Sequence, residues 1–223
     1  MSEFVCGLDL GQVNDYTALA IVEVMPTGIL HLRHIQRFRL GVKYTTITAQ
    51  VERILGKLPG SWVLVIDGTG VGRGILDMFN ERDVSFVPVS ITGGNEAKYI
   101  DREWKLPKRD LVTALTVSLQ NKKLMIARGL QEKNALVNEM LNFKIKISTT
   151  GHDSYNAWRS DDHDDLVLAL SLAVWYANKT AGSLGIDSLI CGGFFGHVQI
   201  DYGEAPDYQH MKIDDFEDLV RRE

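Results

Sequence analysis

Val5-Cys6-Gly7-Leu8-Asp9-Leu10-Gly11 is a short apolar run with one carboxylate near its end, followed by a glycine. A buried charge is costly unless something compensates it, so Asp9 belongs at the rim of a buried strand. The arrangement recurs at Val63-Leu64-Val65-Ile66-Asp67-Gly68. A third acidic cluster, Asp161-Asp162-His163-Asp164-Asp165, heads an apolar stretch of helical length. Three separated segments thus each offer a carboxylate from the edge of a buried element. The rest of the chain reads as the scaffold that gathers them around metal.

The scaffold follows from periodicity. Residues 4–10 read as a central strand. Thr17 to Val24 is a second, with Ala18, Ala20, Val22 and Val24 in alternation. After the turn Pro26-Thr27-Gly28, Ile29 to Arg39 is a third. Short turns make these three an antiparallel meander. Ile47, Val51, Ile54, Leu55 and Leu58 mark a helix from about Thr45 to Leu58, ended by Pro59-Gly60. Trp62 to Asp67 is a fourth strand, a helix carries Ile75, Leu76 and Phe79, and Val84 to Ile91 is a fifth strand. Helical crossovers place the fourth and fifth strands parallel to the first. The expected fold is α/β, a mixed five-stranded sheet with three antiparallel and two parallel strands flanked by helices.

Ile100 to Pro107 has no clear assignment. Beyond it, Asp110 is the expected N-cap of a helix bearing Leu111, Leu115 and Leu119. Leu124 to Ala127 is a candidate short strand, and Gln131 to Leu141 a helix. Phe143 to Ile147 alternates as a strand that Tyr155 to Trp158 can pair with. The segment from about Asp162 to Asn178 is apolar nearly all round, the mark of a buried helix.

Two domains of unequal kind are expected, a catalytic domain over 1–180 and an acidic, glycine-rich appendage over 181–223. The chain of 223 residues has a formal net charge of −5. The appendage holds nine acidic and three basic residues, which leaves the first 180 residues close to neutral. Since those 180 contain the acidic cluster, their remaining surface is mildly positive, which permits nucleic acid as a partner without demanding it. In the appendage, Phe194-Phe195 and Val198 to Tyr202 can add a strand or dock, and the last dozen residues can form a short helix. No apolar run reaches membrane-spanning length, and Met1-Ser2-Glu3 leads straight into a strand, so neither a membrane partner nor a signal peptide is expected. Cys6 and Cys191 are too few for a disulfide framework or a zinc site.

The chemistry rests on the acids. Neighbouring parallel strands lie about 4.8 Å apart, so Asp9 and Asp67 would project side by side from the carboxyl ends of the first and fourth strands. A helix start would bring Asp164 or Asp165 to the same point. Such a cluster needs cations to stay ionised, and oxygen ligands suit Mg²⁺ or Mn²⁺. Two ions about 3.5–4 Å apart would serve phosphodiester hydrolysis. Each acid also has a plainer reading. Asp9 and Asp67 stand beside turns, Asp15 reads as a turn residue, and Asp161 to Asp165 could cap a helix. Capping alone is a poor reason for four acids in five residues that repel one another. His163 reads as capping or solvated.

Gly68-Thr69-Gly70-Val71-Gly72-Arg73-Gly74 follows a strand and precedes a helix, yet fails both the dinucleotide fingerprint and the P-loop. No nucleotide site is therefore expected. It is either a tight turn or a flexible approach for a phosphate. Lys98, Arg102, Lys105, Lys108 and Arg109, with Tyr99 and Trp104 interleaved, suit a groove that tracks a nucleic acid backbone, or else a solvated face. His31 and His34 are an odd number of residues apart and so are expected on opposite strand faces.

The element order with these acids resembles the ribonuclease H-like fold. Within it, Gly7-Leu8-Asp9-Leu10-Gly11 with Asp15-Tyr16-Thr17-Ala18, then Val65-Ile66-Asp67-Gly68-Thr69-Gly70-Val71-Gly72, then His163-Asp164-Asp165-Leu166-Val167-Leu168-Ala169 resemble the nuclease domain of the large terminase of tailed bacteriophages. Pro107-Lys108-Arg109-Asp110-Leu111 is similar to that family as well. The resemblance spans about residues 3–178. It implies a metal-dependent endonuclease that cuts concatemeric viral double-stranded DNA during packaging, in the cytoplasm of the infected host. It implies Asp9, Asp67 and one or both of Asp164 and Asp165 as metal ligands, with Asp165 slightly favoured. A packaging ATPase, as a further domain or a separate chain, and the portal are the implied partners. Two other classes compete. A Holliday-junction resolvase shares the acid arrangement, and sugar kinases and actin-like ATPases share Gly-x-Asp-x-Gly but need two such domains.

Overall fold

The computed structural model describes residues 3–12, 15–71, 73–94, 96–149 and 164–181. Strands β1 (Glu3–Asp9), β2 (Ala18–Val24) and β3 (Leu30–Arg37) form the antiparallel meander. Helix α1 (Tyr44–Leu55) leads to β4 (Ser61–Asp67), and α2 (Arg73–Asn80) to β5 (Phe86–Thr92). β4 lies parallel to β1, and β5 parallel to β4. The mixed sheet is therefore as expected, but it has eight strands where five were expected. The additions are β6 (Lys98–Ile100) and β7 (Glu103–Pro107), a hairpin beside β5, and β8 (Leu124–Ile126) beside β3. β8 lies in the Leu124 to Ala127 stretch expected as a short strand, whereas the three residues of β6 are too few to show a period of two. The order is β6-β7-β5-β4-β1-β2-β3-β8, with β4 and β1 at the centre.

Helices α3 (Lys108–Gln120), α4 (Lys133–Thr149) and α5 (Asp165–Ala181) complete the elements. Two expectations fail here. Pro107, not Asp110, occupies the N-cap of α3, and Asp110 sits in its first turn. Phe143 to Ile147 is helical, continuing α4. No glycine or proline interrupts 133–149, so a helix already nucleated upstream propagates through a run whose alternation alone reads as a strand. Asp161, Asp162, His163, the Tyr155 to Trp158 segment and the appendage over 182–223 lie outside the described residues.

Alternation along the strands sorts side chains onto two cores. Phe4, Cys6 and Leu8 of β1, with Leu64 and Ile66 of β4, pack against α1 and α2. Val5 and Val65, with Ala18, Ala20 and Leu32, pack against α3 and α5. Asp9 and Asp67 share the parity of Val5 and Val65 and so face the α5 side. Cys6 is fully buried in the first core, and burial pushes its thiol up, as expected for an inert apolar filler.

α5 is the helix against which that second face is built. Leu166, Val167, Ala169, Leu170, Leu172, Ala173 and Val174 are all buried. It presses on β1 at Gly7, where an added Cβ would stand 2.0 Å from the Ala169 carbonyl oxygen and 2.9 Å from the Ala173 nitrogen. Only a residue without a Cβ admits that approach. Gly7→Ala is expected to destabilise by at least about 1–3 kcal/mol through overpacking. Leu170→Ala on the same helix is expected to cost about 2–5 kcal/mol through the cavity it leaves. Urea unfolding measures both.

Candidate active site

Asp9 and Asp67 end their strands and are direct register partners across the parallel β1–β4 pair. Asp67 is buried. Its Oδ1 accepts hydrogen bonds from the Thr69 backbone N–H at 2.9 Å and the Thr69 hydroxyl at 2.5 Å. The same hydroxyl oxygen accepts the Ile91 N–H at 2.7 Å, tying the Asp67 turn to β5. One oxygen of Asp67 is thus committed to the fold.

Asp9 has no such support. Among the described residues no hydrogen bond to its carboxylate is found. Burial, then Asp67, Asp164 and Asp165, push its pKa well above the ordinary carboxylate value, with Lys108 opposing. Asp67, Asp164 and Asp165 therefore all act on Asp9. Burial raises Asp67 too, against its hydrogen bonds and Lys108.

The third segment arrives with α5. Asp164 immediately precedes the helix and accepts Lys108 Nζ at 2.6 Å. Asp165, the first helical residue and itself buried, accepts Arg37 Nε at 2.6 Å. A second nitrogen of Arg37 bonds Glu139 of α4, and Glu139 Oε2 accepts the Val167 N–H at 3.1 Å. Burial, with Asp165 adding to it, pushes Glu139 up to about 8 against the pull of Arg37.

Among the described residues no three His, Cys, Asp or Glu side chains are arranged as a ready metal cluster. Asp164 and Asp165 each turn an oxygen to a protein cation. The donor set nonetheless fits a hard divalent ion. It is all carboxylate oxygen, at the carboxyl end of a parallel strand pair, and its other members raise the pKa of Asp9.

Lys98 pairs with Glu96 at 4.0 Å, Lys105 with Glu103 at 2.5 Å and Arg109 with Asp110 at 3.5 Å. Arg102 occupies the β6–β7 turn at φ 64°. Lys108 is bonded to an acid of the site, Asp164. His31 and His34 do not alternate as expected. A bulge between their β2 partners pairs them with Glu23 and Ile21, residues of one parity, so both lie on the same face. The glycine-rich turn has Gly70 at φ 79°, where a Cβ would meet the Gln12 amide at 2.0 Å. It is a tight turn packed against the loop after β1. Asp15 is exposed and sits in that loop, its N–H bonded to the Gln12 carbonyl at 2.8 Å.

Sequence reading missed Arg37, Glu139 and Thr69. Thr69 carries a weak signal, being two residues after an aspartate in a turn. Arg37 and Glu139 carry none, since each reads as an ordinary surface charge.

With the geometry in place, comparison with known proteins is informative. The terminase RNase H-like domain family matches residues 6–177. The chain belongs to that family. No curated protein sequence matches it. This terminase-family chain is similar to the large terminase nuclease from thermophilic phage G20c with bound zinc, at 17% identity and TM-score 0.50, over 77% of this chain and 80% of that one. A further structure of that nuclease gives 16% identity and TM-score 0.53, over 77% and 81%. The HK97 bacteriophage large terminase gives 14% identity and TM-score 0.51, over 79% of this chain and 40% of that one. At such identities the likeness is one of fold.

The raised acids set a pH dependence. A carboxylate whose folded pKa lies above its unfolded one binds more protons when folded, so stability falls as pH rises between the two values. For Glu139 that window runs from 4.5 to about 8, and Asp9 and Asp67 act in the same direction. A divalent ion relieves the repulsion and competes with protons. Mn²⁺ is expected to raise the thermal midpoint more at pH 8 than at pH 5.5, measured by calorimetry on the same preparation.

Proposed function

We propose that this chain is a divalent-metal-dependent endodeoxyribonuclease that cuts double-stranded viral DNA during genome packaging. The observation that carries the reading is the convergence of Asp9, Asp67, Asp164 and Asp165 at the carboxyl edge of β1 and β4. Family membership supplies the biological setting. Packaging links the domain to an ATPase motor and a portal in the cytoplasm of an infected cell. No helix of the described residues is long and apolar enough to cross a membrane.

Asp9, Asp67, Asp164 and Asp165 would hold Mg²⁺ or Mn²⁺, as two ions. Bound there, such ions supply Lewis-acid stabilisation of the attacking and leaving oxygens of a phosphodiester and lower the pKa of water. The protein does the rest. Thr69 fixes Asp67 so that its Oδ2 is presented in one orientation. Lys108, bonded to Asp164, neutralises part of the cluster and would attract a phosphate bound beside it. Lys98, Arg102, Lys105 and Arg109 lie on the β6–β7 hairpin and the start of α3, and would meet the flanking backbone. Their acidic partners make that contact modest and strongly salt-dependent.

Supercoiled plasmid incubated with the protein and Mn²⁺ is expected to give nicked and linear products, and EDTA to abolish them. Asp67→Asn is expected to lower the rate by more than about 100-fold, since losing a ligand costs more than losing an outer-shell partner. Cleavage by Asp67→Asn at the wild-type rate, or ATP-dependent chemistry with intact plasmid, overturns the reading. Strong preference for four-way junctions over linear duplex would assign the domain to junction resolution instead.

A further inference from the structure

We infer that Arg37 and Glu139 are positioning residues that brace Asp165 and the start of α5 over the metal-binding edge. The inference rests on the metal-dependent reading above and adds to it two residues that contact no ligand themselves.

Asp67 pairs with Asp9, Asp9 with Ala18, and Ala18 with Arg37. These four residues form one row across four strands, all on the face that packs α5. Strands are spaced about 4.8 Å, so Arg37 stands two spacings from Asp9, with only the methyl of Ala18 between. Ala18 leaves room above the sheet, and Asp165 descends into it from α5. Arg37 meets Asp165 through Nε at 2.6 Å.

The guanidinium is used at both ends. While Nε holds Asp165, an NH2 group holds Glu139, whose other oxygen accepts the Val167 N–H. Val167 lies in the first turn of α5, where backbone N–H groups have no helical partner. Glu139 therefore caps α5 from a neighbouring helix and grips Arg37 at the same time. The Tyr16 ring lies 4.9 Å from the guanidinium carbon and closes a further side. β3, α4, α5 and the loop before β2 all converge on one side chain.

This network fixes both the backbone and the carboxylate of Asp165. It occupies Oδ2 of Asp165. Outer partners of this kind orient metal ligands and commonly set affinity by about 10–100-fold. Lysine cannot replace the fork, because one ammonium lacks the planar, divergent donors needed to reach two carboxylates at once.

The test measures Mn²⁺ affinity of the full chain by electron paramagnetic resonance of free Mn²⁺, with circular dichroism and thermal midpoint recorded for each variant. Arg37→Ala is expected to weaken Mn²⁺ binding by about 10–100-fold, and Arg37→Lys by less. Glu139→Ala is expected to weaken it too, and Arg37→Ala with Glu139→Ala to be no worse than Arg37→Ala alone, because the two act as a unit. If Arg37→Ala does not fold, Arg37→Lys and Glu139→Gln decide. Folded variants with lower midpoints but wild-type Mn²⁺ affinity overturn the brace and leave the nuclease reading standing. A wild-type chain that binds no Mn²⁺ overturns the metal reading, and the brace with it.

Discussion

The contact between Gly7 and the backbone of α5 governs where the acids meet. A helix normally packs on a sheet through side chains. Here α5 sits so low on β1 that the Ala169 carbonyl and the Ala173 nitrogen occupy the space of a Cβ. The small residues Ala169 and Ala173 on the helix and Gly7 on the strand make that approach possible. Its consequence lies at the end of the helix. With α5 held against β1, Asp164 and Asp165 at its first turn fall beside Asp9 at the end of the same strand. A few ångströms of added separation would carry the third acidic segment out of reach.

Bringing four aspartates together in a partly buried edge costs free energy, and the structure shows how the cost is spread. Asp67 is stabilised by hydrogen bonds from Thr69, Asp164 by Lys108 and Asp165 by Arg37. Asp9 has none of these among the described residues, and its pKa is raised by all the others. The arrangement is thus partly satisfied by protein cations, with a deficit of positive charge concentrated between Asp9 and Asp67. That deficit is what a divalent cation would remove.

Much of this was legible along the chain. Apolar runs ending in an aspartate and glycine place Asp9 and Asp67 at strand ends, and the helical crossovers make those strands parallel. The apolar stretch after Asp165 reads as a buried helix because nearly every position is apolar. Other features were not legible. β6 is three residues long, too brief for alternation to register. Phe143 to Ile147 alternates, yet helix propagation from Lys133 overrides it. His31 and His34 share a face because one bulge breaks the period of two, and an extra residue in a strand leaves no trace in composition. Lys108 was legible as a basic residue, but its attachment to Asp164 depends on two elements 56 residues apart.

The sequence by itself determined the layered α/β class, the terminal position of Asp9 and Asp67 on their strands, and the acidic start of a buried helix, because these are matters of local period and local chemistry. Only the tertiary structure decided that Asp67, Asp9, Ala18 and Arg37 form one row and that Arg37 and Glu139 support Asp165. Those relations depend on strand register and on how closely α5 approaches β1. Both are set by packing between segments far apart in the chain, and no local window contains the energy that fixes them.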